Sequence, residues 1–285
     1  MLRKRIPVRA VVGTLLLCGW ATAVAPEAVQ SNAPTVRSQE LAMVADVPAG
    51  GRTAPVEPAV LPAGDGTAAT ALGWGAPLPT SDEFRHPGAP DPAKWQTAGE
   101  CWPGHGNNGR RCGSLATVAD GRLRLTGLAN GDTGWLRNRT DQWYGRWEVR
   151  MRVVADGPSG HPYHPVLLTW PQSGRDPQGG EYDFAEADVL SPQVNGFIHH
   201  PTEIGVVQER YQATVDMTQW HTYALDWQPG HIIGYIDGVQ WFDDTDPAAQ
   251  APEPMHGNIQ LDNFFGADMQ PAHMDVDWYR VYAAG

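Results

Sequence analysis

The strongest constraint on this 285-residue chain is a recurring alternation of apolar and polar residues. In Arg146-Trp-Glu-Val-Arg-Met-Arg-Val153 every second residue from Trp147 is apolar and those between are charged. The same period runs through Arg122-Leu-Arg-Leu-Thr126, Tyr223-Ala-Leu-Asp-Trp227 and Met274-Asp-Val-Asp-Trp-Tyr-Arg-Val-Tyr282. Side chains that change sides at every residue belong to strands with one buried face. Ile232-Ile-Gly-Tyr-Ile-Asp237-Gly238-Val-Gln-Trp-Phe242 reads as two strands around an Asp-Gly turn. After residue 80 no amphipathic helical pattern lasts three turns. The pattern predicts an all-β chain with a single β-sandwich domain over 80–285.

What precedes that domain has a different texture. Arg3, Lys4, Arg5 and Arg9 lead into an apolar stretch from Ala10 to Trp20, followed by small residues at Ala21, Ala23 and Ala25. This is the layout of an export signal over 1–25, and it is too short to span a membrane. Residues 26–79 are rich in Ala, Pro and Gly and have no sustained period, which predicts a disordered linker. The chain is expected to be secreted, with no membrane attachment after signal cleavage, and to act as a monomer. Its net charge of −12 excludes a nucleic-acid binder that relies on a basic surface. Once Cys18 leaves with the signal, Cys101 and Cys112 remain, and an even pair in an exported chain predicts a disulfide. Two free thiols are the alternative.

The residues richest in chemistry are Gly179-Gly-Glu181-Tyr-Asp183-Phe-Ala-Glu186-Ala-Asp188. On a strand Glu181 and Asp183 share a face, whereas Glu186, three residues further on, falls on the other. One β-bulge near Phe184-Ala185 would bring it back. Three carboxyls on one strip repel one another and raise at least one pKa, as a general acid near neutral pH requires. A solvated acidic edge or calcium ligation would use the same residue types. Tyr182 and Phe184 interleave with the acids and give the strand an apolar back, which fits the floor of a cleft better than an edge.

The string Glu181-Tyr-Asp183-Phe-Ala-Glu186 resembles the signature of glycoside hydrolase family 16 in its β-bulge form. Further landmarks of that family follow in order: Asp82-Glu-Phe84, Asp91-Pro-Ala-Lys-Trp95, Tyr144-Gly-Arg-Trp-Glu-Val-Arg150, Asp237-Gly238 and Val276-Asp-Trp-Tyr-Arg-Val-Tyr282. The resemblance implies a concanavalin A-like jelly roll whose concave sheet cradles a polysaccharide. It also implies a retaining double displacement with Glu181 as nucleophile, Glu186 as general acid/base and Asp183 between them. Two departures bear on the substrate: Tyr182 stands where the family has an aliphatic residue, and 254–265 follows the late strand only loosely.

Sugar rings present apolar faces, so glycan clefts use aromatic platforms beside hydrogen-bonding groups. Trp170 resembles a cleft tryptophan of the family, and Trp135 and Trp143 are further candidates. Trp147, Trp227 and Trp278 alternate with charges and are expected in the core. His161, His164, His199 and His200 lack a third ligand at zinc spacing. The resemblance instead puts one histidine of the strand after the acids at the cleft, and His199 is the choice over His200. Gln260 is a further candidate for a sugar hydroxyl. Asp277 resembles a structural calcium ligand in part of the family, which leaves calcium open; no cofactor is expected to be required. The reading is a secreted endo-β-glycanase acting on β-1,3- or mixed β-1,3/1,4-glucan. Alternatives are a galactan-type substrate, transglycosylation, or a non-catalytic carbohydrate-binding jelly roll.

Overall fold

The structure is a computed structural model that describes residues 66–202 and 205–285. The expected signal over 1–25 and the linker as far as residue 65 lie outside the described residues. Among the described residues, sixteen strands follow one short α-helix, α1 (Ala68–Leu72). The first eight are β1 (Trp95–Thr97), β2 (Trp102–Pro103), β3 (Arg110–Arg111), β4 (Ala116–Ala119), β5 (Arg122–Gly127), β6 (Trp135–Asn138), β7 (Gly145–Ala155) and β8 (His164–Pro171). The rest are β9 (Glu181–Glu186), β10 (Gln193–Thr202), β11 (Gly205–Thr214), β12 (His221–Gln228), β13 (His231–Ile236), β14 (Val239–Asp244), β15 (Met255–Asp262) and β16 (Ala272–Tyr282).

Two seven-stranded antiparallel sheets stack as a jelly-roll sandwich. The front sheet runs β1-β6-β15-β8-β9-β10-β11 and the back sheet β14-β13-β12-β7-β16-β5-β4. The alternation sets which side chains meet between them. Trp147, Val149, Met151 and Val153 of β7 point inward and are buried with Leu167, Tyr182, Phe184 and Ile198 of the front sheet. Each such side chain contributes roughly 1.5–3 kcal/mol on leaving water, so a one-residue slip of β7 would forfeit all four at once. The Asp237-Gly238 turn joins β13 to β14 with both residues at positive φ, 49° and 76°, as a tight hairpin with the twist of its strands requires. The family-like opening closes onto the last strand: Trp95 Nε1 donates to Asp82 Oδ2 at 2.8 Å, and the Trp95 ring meets Tyr279 edge-on at 4.9 Å.

Two expectations are corrected. The linker does not extend to residue 79, because 66–79 belong to the domain. Ala68 N donates to Glu148 Oε1 at 2.5 Å, Thr67 caps α1, and Trp74 packs edge-on against Tyr235 and Tyr282. Five Ala- and Thr-rich residues cannot hold a helix alone; these anchors on the back sheet do. Trp147 and Trp227 lie in the core between the sheets as expected; Trp278 is buried as well, 7% exposed, but on the other face of the back sheet. A bulge between Val276 and Trp278 turns Trp278 to the outer face opposite Arg150, where the Arg280 guanidinium covers its ring at 4.1 Å.

Candidate active site

The site is built on β9 and its two neighbours. Against β8, Asp183 pairs with Leu168 and Ala185 with Leu167, so Phe184 is an extra residue without a partner. Against β10, Asp183 faces Phe197 and Glu186 faces Asn195, leaving Gly196 opposite the same irregularity. This β-bulge restores Glu186 to the face that carries Glu181 and Asp183. Gly196 makes room beneath it, since a Cβ there would lie 2.7 Å from the Phe242 ring.

Cross-strand register identifies the rest of that face. His199 lies opposite Glu181, Phe197 opposite Asp183, and Val166 opposite Glu186. Trp170, two residues beyond Leu168 on β8, shares the face and is half-buried, with His256 of β15 as its partner. Gln260 and Trp135 continue the row through Val166 on β15 and β6. All seven candidate residues therefore share one side of the front sheet. His200 falls on the other side, 3% exposed.

They are not equally free. The Gln260 side-chain carbonyl accepts from Arg111 Nη2, and Trp135 is 8% exposed beneath an edge-on contact with Trp102 at 5.1 Å. Both are floor residues under the ribbon of β2 and β3, which the Cys101–Cys112 disulfide closes. Trp143 is exposed and touches Tyr144. His161 stacks on Phe265 at 4.6 Å. Among the described residues no group of three His, Cys, Asp or Glu could hold a metal ion, and Asp277 is ion-paired with Arg150 at 2.5 Å.

Burial and mutual charge act on Glu181 and Asp183. Burial first, then the Asp183 charge, push the Glu181 carboxyl well above its ordinary range; Asp176 and Glu186 add to this and His199 opposes it. Asp183 is also pushed well up, by burial and then by Glu186, while its contact with Glu181 works the other way. His199 Nε2 lies 3.2 Å from Asp183 Oδ2. Carboxyls this crowded cannot all ionise in the range normal for isolated ones, so the group retains a proton to higher pH.

Sequence reading missed three neighbours. Arg111 crosses from β3 to hold Asp262 and Gln260. Phe264 lies between the rings of His105 and His164, at 4.6 and 4.4 Å. His164 itself reaches Glu186. The spacing that puts Trp170 on the face also puts His164 there, six residues earlier on β8; that was the available signal.

A two-sheet jelly roll with an acidic strand bulged in this way is the scaffold of a glycoside hydrolase. The chain belongs to glycosyl hydrolases family 16, which it matches over residues 112–280. It is similar to a beta-glucanase of Paenibacillus polymyxa, 27% identical over 181 residues, covering 60% of this chain and 74% of that one. A beta-glucanase of Rhodothermus marinus is 26% identical over 245 residues, covering 71% and 83%. Among solved structures, the laminarinase from Rhodothermus marinus superposes with a TM-score of 0.58 at 25% identity, covering 71% of this chain and 95% of that one. LamAcat from Zobellia galactanivorans shares the fold with a TM-score of 0.62 at 18% identity, covering 74% and 99%.

Proposed function

We propose that this chain is a secreted, retaining endo-β-glucanase that cleaves β-1,3- or mixed β-1,3/1,4-glucan. The observation that carries the reading is the bulge at Phe184-Ala185, which sets Glu181 and Glu186 on one face with Asp183 between them. Its substrate class is supported by the beta-glucanases that the chain resembles.

In the first step the Glu181 carboxylate attacks the anomeric carbon while Glu186 gives its proton to the departing glycosidic oxygen. The product is a glycosyl ester on Glu181. In the second step Glu186, now a carboxylate, takes a proton from water, and the hydroxide oxygen displaces Glu181 from the same carbon. Two inversions give net retention. Asp183 shares a proton with the nucleophile and releases the Glu181 charge for attack, held in place by His199. Trp170 offers its half-buried ring to a sugar beside Glu181.

The test is proton NMR of the first products from a soluble mixed-linkage glucan. The β-anomer should appear first and mutarotate later. Initial α-anomer would overturn the double displacement, and no cleavage of any β-glucan would overturn the substrate class.

A further inference from the structure

Glu186 has a partner that the double displacement does not call for. His164 Nε2 lies 3.1 Å from Glu186 Oε1, and His164 Nδ1 lies 2.7 Å from Asp188 Oδ1. The imidazole side chain is only 16% exposed and rests against the Phe264 ring at 4.4 Å, so it is fixed on three sides. We propose that His164 is a positioning residue for the acid/base: it occupies Glu186 Oε1 and thereby confines the transferable proton to Oε2. This rests on the assignment of Glu186 made above.

A ring between two carboxylates serves both only as imidazolium, because the neutral form has a single N–H. The charged groups facing it come from every element around it. Glu186 ends β9, Asp188 follows it, and Asp262 is its cross-strand partner on β15. Asp262 is already engaged by Arg111 of β3, and His105 lies across the Phe264 ring. Burial alone would discharge the imidazole, but contact with Asp188 and Glu186 more than offsets it and raises His164 to about 9. The ring is therefore a cation wherever a carboxyl pair works. At 3.1 Å from Oε1, the Nε2–H of an imidazolium keeps that oxygen in the role of acceptor. When Glu186 is protonated its hydrogen then resides on Oε2.

Two consequences follow. Removing a cation from beside a carboxyl disfavours the ionised form of that carboxyl. Orientation of the proton matters most when the leaving group is poor. The full-length enzyme is compared with His164→Gln, His164→Ala and Asp188→Asn on a soluble β-glucan and on an aryl β-glucoside oligomer with an acidic phenol. Both His164 variants should move the alkaline limb of kcat/KM upward by roughly half a pH unit or more. Turnover of glucan should fall about tenfold and that of the aryl substrate by less than about threefold, a fraction of the whole general-acid effect. Asp188→Asn, which leaves Glu186 and His164 in place, should show the same substrate bias in weaker form. Glu186→Gln runs alongside. If it keeps wild-type turnover, the acid/base reading falls. If it is disabled while correctly folded His164 variants keep the wild-type limb and substrate ratio, or lose both substrates equally, only the role of His164 is overturned. Should neither His164 variant fold, an unbiased Asp188→Asn overturns it.

Discussion

Arg111 grips Asp262 through two nitrogens, Nε at 3.1 Å and Nη2 at 2.7 Å from Oδ1, across 151 residues of sequence. The pair ties the disulfide-closed ribbon to the floor of the front sheet, one strand away from His164. Asp262 is 5% exposed, so its charge has little water to fall back on. Removing one partner of a buried pair leaves the other uncompensated, at a cost of about 3–5 kcal/mol when both are fully buried. Arg111 retains some exposure, so Arg111→Ala should cost about 2–3 kcal/mol and lower Tm by roughly 5–10 °C in calorimetry. An unchanged Tm would show that the ribbon is not anchored by this pair.

The bond between Cys101 and Cys112 closes the base of that ribbon. In the chain-entropy picture a loop of this length stabilises by roughly 2–3 kcal/mol. Cys101→Ser with Cys112→Ser should therefore lower Tm, and reductant should lower that of the wild type by a similar amount without further effect on the double variant. Peptide mapping without reductant should recover the two cysteines linked. Free thiols at both positions in native protein would refute the pairing.

How far the site could be read beforehand depended on whether its geometry was local. The alternation of β7 and the Asp-Gly hairpin are local patterns, and both appear where the sequence puts them. The bulge in β9 was legible because Glu181, Asp183 and Glu186 make chemical sense only on one face. Trp278 shows the limit of the same logic. A second bulge, with no chemistry to announce it, turned that residue to the outer face of the back sheet, where it is buried beneath Arg280. Helix α1 was illegible because its anchor, Glu148, is 80 residues away. Arg111 and Gln260 are 149 apart, and only sheet order brings them together. His164 was visible as a residue but not as a partner, because its role depends on the pairing of β8 with β9.

The crowding of acids on β9 carries a stability cost, and its sign is testable. Glu181 has a folded-state pKa above its unfolded value, chiefly through burial. Such a group favours the fold below its unfolded pKa, and that contribution is lost as pH rises through the folded value. At neutral pH the ionised carboxyl is therefore a burden. Glu181→Gln should raise Tm at pH 7 by about 2–4 °C, the shift that 1 kcal/mol produces in a domain of this size. The gain should shrink toward pH 4, where the wild-type carboxyl is protonated. A lower Tm at pH 7 would mean that its hydrogen bonds outweigh its desolvation.

Division of labour between the two glutamates makes the sharpest prediction about the chemistry. Glu181→Ala removes the group that forms the ester, so turnover of glucan should fall at least several thousandfold. The cavity it leaves is beside the anomeric carbon, with Glu186 still able to protonate the leaving group. Azide can enter that cavity as a small external nucleophile, and should restore turnover of an aryl substrate as the α-glycosyl azide by a single inversion. Glu186→Ala fails differently. Its nucleophile is intact, so an aryl substrate with an acidic phenol should still form the ester, whereas glucan should lose the 10²–10⁴-fold that general acid catalysis typically supplies, a range of roughly that order. Breakdown of the ester then lacks its base, and azide should accelerate it to give the β-glycosyl azide by double inversion. The configuration of the two azides, read by NMR coupling constants at the anomeric proton, distinguishes the roles directly. A β-azide from Glu181→Ala, or an α-azide from Glu186→Ala, would reverse the assignment.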